Sequence, residues 1–317
     1  MKIFFLPAHE PIDSELIDRW IYFGYEIVIP KNSPFTWNKK LVEMPKDIIL
    51  DVNEKPDIIF CDAHPKNIFF SFKYKIRKFW YDVPIVVSHI WFPDIRILPL
   101  YYMVNHISVC RYGAEYLKRI SGLESKLIYL PVDTEFFKPR NAPNKKIATI
   151  IGNNFNTRKI MGTKYLFKIF NLVHEMDPEI KLIINGYNPD LEVPPFVKKT
   201  FYPGDYKKGL YKVLSYSSCI FFTTTRNLIM HSLENAMSAG KVCICWDLPA
   251  FHEVIKNGKS GFLIENFDER RFAEKIVEIC NKPPKKIGER ARESIVEKCE
   301  RNTVAKKYIE FFEEILS

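Results

Sequence analysis

No stretch of this 317-residue chain approaches the roughly 18 consecutive apolar residues of a membrane-spanning helix. The opening run Met1-Lys-Ile-Phe-Phe-Leu6 passes at once into Pro7, His9 and Glu10. That is too short for a secretory signal, so an intracellular, cytoplasmic protein is expected. The seven cysteines include no C-x-x-C pair, and several lie in apolar runs such as Val242-Cys243-Ile244-Cys245. An odd, unpaired set argues against a disulfide framework or a zinc module and predicts buried thiols in a reducing compartment. Repeats and low-complexity segments are also missing, which removes solenoids and disordered tails. Neither a zinc module nor an aromatic RNA-binding sheet motif is present, so no nucleic-acid partner is expected. No carboxylate pair marks a metal site.

What is present is globular material, 47% apolar, long enough for two α/β domains. Residues 1–140 carry 19 Lys and Arg against 17 Asp and Glu; the remainder carries 28 against 21. The basic excess therefore sits in the second half and suits an anionic ligand there. Short apolar runs alternate with amphipathic segments, the pattern of parallel sheets with crossover helices. The runs are 2–6, 25–29, 57–61, 84–88, 106–110 and 126–130, then 146–151, 180–184, 218–222, 241–245 and 261–264. Helices are expected near 12–24, 66–80, 96–104, 112–120, 162–175, 207–215, 228–239 and 268–281, with one or two more over 285–316. Phe137-Lys-Pro139-Arg140-Asn-Ala-Pro143-Asn-Lys-Lys146 reads as a linker. The expected domains are thus 1–140 and 141–317, the second including the closing helices. Two such halves predict a cleft, with ligands at the carboxyl ends of the strands.

One segment carries most of the chemistry. After the run 218–222 come Asn227, then Glu234-Asn235-Ala236-Met237, Gly240, a second apolar run, Asp247, Glu253, Gly258 and Gly261. A helix starting there would turn free backbone N–H groups toward phosphate or sugar oxygens. The order and spacing resemble the family 4-type retaining glycosyltransferases (glycosyl transferases group 1), whose pattern is Glu-x7-Glu, Ala-Met-x-x-Gly, a strand, Asp, a Pro-Glu-Val-like turn and Gly-x-x-Gly. Leu130-Pro-Val-Asp133 through Pro139 resembles that family's entry into its linker, Ile151-Gly152 with Arg158-Lys159 its first donor loop, and Ile184-Asn185-Gly186 its next strand end. The likeness covers residues 105–317 well and 1–104 in outline. It implies a GT-B fold, two Rossmann-like domains, and metal-independent transfer from a nucleotide sugar such as a UDP- or GDP-sugar, with no other cofactor. The acceptor would be a glycan, a lipid or a small molecule.

Carried over residue by residue, the resemblance implies that Arg158 and Lys159 hold the diphosphate, beside Gly152 and Gly186. The family has an arginine directly after the glycine, where this chain has Asn153. Its two glutamates, for sugar and for ribose, fall on Asn227 and Asn235. Asparagine keeps the hydrogen bonds to hydroxyls and loses the charge. Glu234 is the neighbouring alternative for the ribose; in the Asn235 register it would point about 100° away, toward solvent or the domain flank. His89, ending the run 84–88, matches a histidine that the family places near the reacting sugar. His64, His9 and Glu10 are acceptor or cleft candidates, the last two in Pro7-Ala-His-Glu-Pro11, which replaces a glycine-rich loop. The basic, aromatic stretch 66–80 suits either packing on its sheet or peripheral contact with the inner face of a membrane. The paired asparagines keep a second reading open: a catalytically weak sugar-nucleotide or glycan-binding protein of the same fold.

Overall fold

The computed structural model describes all residues except 8, 9, 31, 32, 34–47, 49–53, 91, 141–144, 189, 202–205 and 227–230, and omits the side chains of 10, 11 and 266. The apolar runs of the first half become strands β1 (Lys2–Leu6), β2 (Glu26–Val28), β3 (Ile58–Asp62), β4 (Ile85–His89), β5 (Asn105–Ser108) and β6 (Lys126–Leu127). They form one parallel sheet in the order β2-β1-β3-β4-β5-β6, with Ile3 beside Ile58 and Ile59 beside Ile85. Every residue of β3 and β4 is buried, as a parallel sheet covered on both faces requires. The helices α1 (Glu10–Tyr22), α2 (Pro65–Lys78), α3 (Leu98–Tyr101) and α4 (Arg111–Ser121) connect these strands.

The second half repeats the scheme. Strands β7 (Ile147–Ile151), β8 (Lys181–Asn185), β9 (Val197–Thr200), β10 (Cys219–Phe222), β11 (Val242–Trp246) and β12 (Phe262–Ile264) lie in the order β12-β11-β10-β7-β8-β9, all parallel. Helices α5 (Thr163–Met176), α6 (Tyr206–Tyr216), α7 (His231–Ser238), α8 (Glu269–Asn281) and α9 (Lys285–Cys299) accompany them. Leu166, Ile169, Phe170 and Val173 of α5 share a core with Phe272 and Ile276 of α8 and with Phe221 and Trp246 of the sheet. All seven cysteines are buried thiols, as expected.

The division of the chain differs from the expected 1–140 and 141–317. One unit comprises Met1–Pro131 with Cys299–Ser317, the other Val132–Lys298. The last helix, α10 (Arg301–Leu316), returns to the first unit because its apolar face completes that core. Tyr308 packs edge-on against Trp20 and Phe60, Phe312 edge-on against Trp20 and tilted against Phe60, and the Trp20 indole N–H donates to the Ala305 carbonyl at 3.2 Å. Glu300 makes the break between α9 and α10, its carboxylate accepting from the Asn302 and Thr303 N–H groups at 2.9 and 2.8 Å.

Residues 132–139 belong to the second unit because α9 binds them. One terminal nitrogen of Arg292 lies 3.0, 3.1 and 2.8 Å from the carbonyls of Thr134, Phe137 and Ser238. The last of these lies at the C-terminal end of α7, where a cation opposes the helix dipole. Ser238 Oγ donates to the same Phe137 carbonyl at 2.7 Å. Arg292→Met keeps the aliphatic stem and removes these bonds, so unfolding of the second unit should become easier by about 2–3 kcal/mol. Chemical denaturation of the full chain, read at Trp246, checks this; an unchanged midpoint would deny Arg292 that role.

Candidate donor site

In the second sheet the chain moves outward from β7 through β8 to β9, then returns to β10 on the other side of β7. Where strand order reverses, the following loops diverge and leave a crevice at the carboxyl ends. Gly152 and Asn153 follow β7, Gly186 follows β8, and the Arg158–Lys159 turn closes the β7 loop. The structure brings these five together at one end of the sheet.

Glycine is needed at the second loop start, and at the first a side chain would have to displace Met161 and Phe155. A Cβ on Gly186, at φ 141°, would lie 2.1 Å from the Gly152 carbonyl oxygen, and one on Gly152 would lie 2.4 Å from Met161 Cε. The two loops therefore pack backbone to backbone. Asn153 Oδ1 accepts from the Tyr187 N–H at 2.6 Å, and Asn188 Nδ2 donates to the Gly152 carbonyl at 2.8 Å. The Asn153 oxygen is thus engaged in loop architecture, which accounts for a neutral amide where the family has arginine.

The basic turn is fastened across the crevice. Thr223 Oγ1 donates to the Met161 carbonyl at 2.8 Å and the Thr225 N–H to the Ile160 carbonyl at 2.9 Å. Gly162, at φ 71°, ends the turn so close to β10 that a Cβ would lie 1.9 Å from the Thr223 oxygen. Arg158 is half-buried and Lys159 exposed. Burial pushes the Arg158 pKa below the usual arginine value, although the group remains cationic near neutrality. A cation already stripped of part of its water loses less when an anion arrives. Thr223 and Thr225, which aim this turn, were not singled out in the sequence; two threonines ending a strand carry no signal before the fold is known.

On α7, Glu234 and Asn235 are both fully buried, as are Leu233, Ala236 and Met237. Of the two directions expected for Glu234, solvent or the domain flank, burial removes the first: along α7 only Ser232 is part-exposed, so 100° of rotation moves this side chain from one buried surface to another. Neither amide atom of Asn235 has a hydrogen-bond partner among the described residues. Asn227 lies outside the described residues.

The first sheet has its reversal between β1 and β3. His9 lies outside the described residues, and Glu10 begins α1. His64 caps α2, its Nδ1 accepting from the Lys66 N–H at 3.2 Å. Asp62, buried at the end of β3, accepts from the His64 N–H at 3.1 Å and from Asn67 Nδ2 at 2.9 Å, and burial raises its carboxyl pKa. On the next strand His89 is fully buried. Its Nε2 lies 3.0 Å from His106 Nδ1, and His106 Nε2 lies 2.8 Å from the Tyr101 carbonyl. A carbonyl can only accept, so neutral His106 carries its proton on Nε2 and offers the Nδ1 lone pair. His89 must then donate from Nε2, which leaves its own Nδ1 as an acceptor, without a partner among the described residues. Burial, with His106 second, pushes the His89 pKa down to about 3, so the ring is neutral at physiological pH. His106 escaped the sequence reading because it meets His89 diagonally across the β4–β5 ladder.

Two doubly wound parallel sheets, the second with glycine-tight loops and a basic turn at its reversal point, are the architecture of the GT-B glycosyltransferases. The chain belongs to the glycosyl transferases group 1 family, whose profile matches residues 132–294 and so begins where the second unit begins. No curated protein matches it in sequence. Among solved structures, HepE of Anabaena in complex with UDP and glucose is 13% identical over 99% of this chain and 100% of its own, with a TM-score of 0.76. Sucrose-phosphate synthase of Thermosynechococcus elongatus is 12% identical over 99% of both chains, with a TM-score of 0.80. TarM of S. aureus, solved with UDP and alpha-GlcNAc-glycerol, is 19% identical over 80% of this chain, with a TM-score of 0.63. The present chain spans 55% of TarM. At these identities the likeness is one of fold.

Proposed function

We propose that the protein transfers a sugar with retention from a nucleotide diphosphate donor, UDP-linked in the first instance, to a hydroxyl of a glycan, lipid or small molecule. The observation that carries this is the Arg158–Lys159 turn, fastened to the end of β10 beside the Gly152–Gly186 loops. In the transfer the bond from sugar C1 to the β-phosphate oxygen breaks and a bond to the acceptor oxygen forms. The acceptor's proton passes to the leaving phosphate. Negative charge grows on that phosphate, and the two cations meet it without a metal or a further cofactor. Asn235 takes the ribose hydroxyls, and His89 Nδ1 accepts a hydrogen bond from a substrate hydroxyl. UDP is preferred over GDP because HepE and TarM were solved with UDP.

Thermal shift with UDP, GDP and ADP, followed by release of UDP from UDP-sugars, tests the reading. UDP should raise the melting temperature most. Asn235→Leu should weaken UDP by several-fold, the size of a lost neutral hydrogen bond at about 0.5–1.5 kcal/mol. The unliganded variant should melt no earlier, since an amide with no partner among the described residues is exchanged for an apolar group of similar shape. Equal UDP affinity in Asn235→Leu, with a loss in Glu234→Gln instead, would shift the ribose contact to Glu234. The asparagines in place of two acidic side chains also favour a non-catalytic binding protein; UDP binding without UDP release from any sugar conjugate would select that reading.

A further inference from the structure

Among the described residues, seven of the twelve large apolar side chains left exposed fall between Phe69 and Met103. Four belong to α2 and its exit: Phe69 at 55%, Ile76 at 61%, Phe79 at 77% and Tyr81 at 61% exposure. On the buried side α2 packs through Asn67, Ile68 and Ser71. The outward stripe runs Lys66, Phe69, Lys73, Ile76, alternating cation and apolar group at helical spacing. Arg77 and Lys78 add exposed cations in the last turn, and no acidic residue occurs from Pro65 to Tyr81. The nearest one, Asp82, is paired with Lys55.

The end of the helix sharpens the point. Phe79 has φ 56° and ψ 32°, the left-handed conformation that ends a helix and is normally given to glycine. The turn is structurally required: the Trp80 N–H bonds back to the Lys75 carbonyl at 2.9 Å while the Trp80 ring enters the core. Phenylalanine is not required there. A bulky side chain at positive φ is strained, and here the ring stays 77% exposed, beside Tyr81 at 6.1 Å. Tyr102 and Met103, also exposed, precede β5 as Tyr81 precedes β4. These strands are neighbours and parallel, so both pairs lie at the same edge of the sheet.

We propose that this face, the outward side of α2 with the Phe79–Tyr81 and Tyr102–Met103 tips, docks on an anionic lipid bilayer. Cations at the headgroup level with rings and aliphatic groups reaching the acyl boundary are what such a surface binds. Aliphatic Ile76 and Met103 among the cations favour lipid over nucleic acid. The inference stands apart from the proposed sugar transfer and is tested without activity.

The full-length protein is floated with vesicles of phosphatidylcholine alone and with added phosphatidylglycerol, at low and high salt. Binding is expected to the anionic vesicles, weakening with salt. Lys73→Glu with Arg77→Glu should lower partitioning at least about tenfold, since each surface cation contributes roughly 1 kcal/mol there. Phe79→Gly should melt about 2–4 °C higher by relieving the backbone, yet bind vesicles several-fold more weakly. The proposal is overturned if the wild type ignores anionic vesicles, or if both variants bind them as it does. It is overturned equally if the wild type binds RNA rather than vesicles, or forms a dimer that Phe79→Gly abolishes.

Discussion

Arg158→Ala combined with Lys159→Ala is expected to weaken UDP binding by about 10²-fold or more, since each charge-assisted hydrogen bond lost is worth roughly 1.5–3 kcal/mol. Uridine, which lacks the diphosphate, should bind wild type and variant alike, so the ratio of the two affinities isolates the charge effect. Gly162→Ala provides the complementary case. Both cations remain, but the new Cβ would lie 1.9 Å from the Thr223 oxygen and must push the turn off β10. UDP affinity should fall here too, because a diphosphate needs the cations at fixed positions. Isothermal titration with UDP and uridine decides the matter. Unchanged UDP affinity in the folded double variant would remove the diphosphate from this turn.

What could be read beforehand follows from the local nature of each signal. Apolar runs between polar segments located ten strands to within one or two residues, because a strand buried on both faces shows as an unbroken run; β6, expected over 126–130, is only Lys126–Leu127. The twelfth, β9, reads Val-Lys-Lys-Thr. At the sheet edge its lysines face outward, Lys199 to the carbonyls of Leu191 and Asn188, so no apolar run betrays it. In α10 the stripe of Val304, Ala305, Tyr308, Ile309 and Phe312 announces a buried face but not which sheet buries it. The same limit applies at the site. Arg158 and Lys159 were visible as cations after a strand and a glycine. Thr223 and Thr225, which hold them, become meaningful only once β10 lies beside β7. The rotation argument about Glu234 allowed solvent or the domain flank, and on α7 only Ser232 is part-exposed.

The tautomer of His89 leads to the second large effect. With Nε2–H committed to His106 and Nδ1 a bare lone pair, His89 can accept a hydrogen bond but cannot serve as a neutral-pH acid or as a fixed positive charge. His89→Ala should therefore lower turnover by about tenfold, the upper end of what one neutral hydrogen bond at about 0.5–1.5 kcal/mol contributes. It should also lower stability, contrary to what an exposed histidine would show, because the ring is buried against Tyr101 at 5.3 Å. His106→Phe separates positioning from packing: the ring volume stays, the acceptor for His89 Nε2–H goes, and turnover should fall about tenfold while the fold persists. Imidazole 15N shifts of the wild type should report His89 as the Nε2–H tautomer, and His106→Phe should mix the two. The pH dependence has a definite sign. The folded pKa of His89 lies below the ordinary 6.5, at about 3, so the stabilisation is complete above about 6.5 and is lost as pH falls toward 3. His106, lowered by burial as well, acts in the same direction. Turnover should accordingly show no loss assignable to His89 protonation on descending through pH 6.5 while the protein stays folded. An Nδ1–H tautomer in the wild type, or a rate that titrates with His89 near pH 6.5, would return this histidine to the role of proton donor.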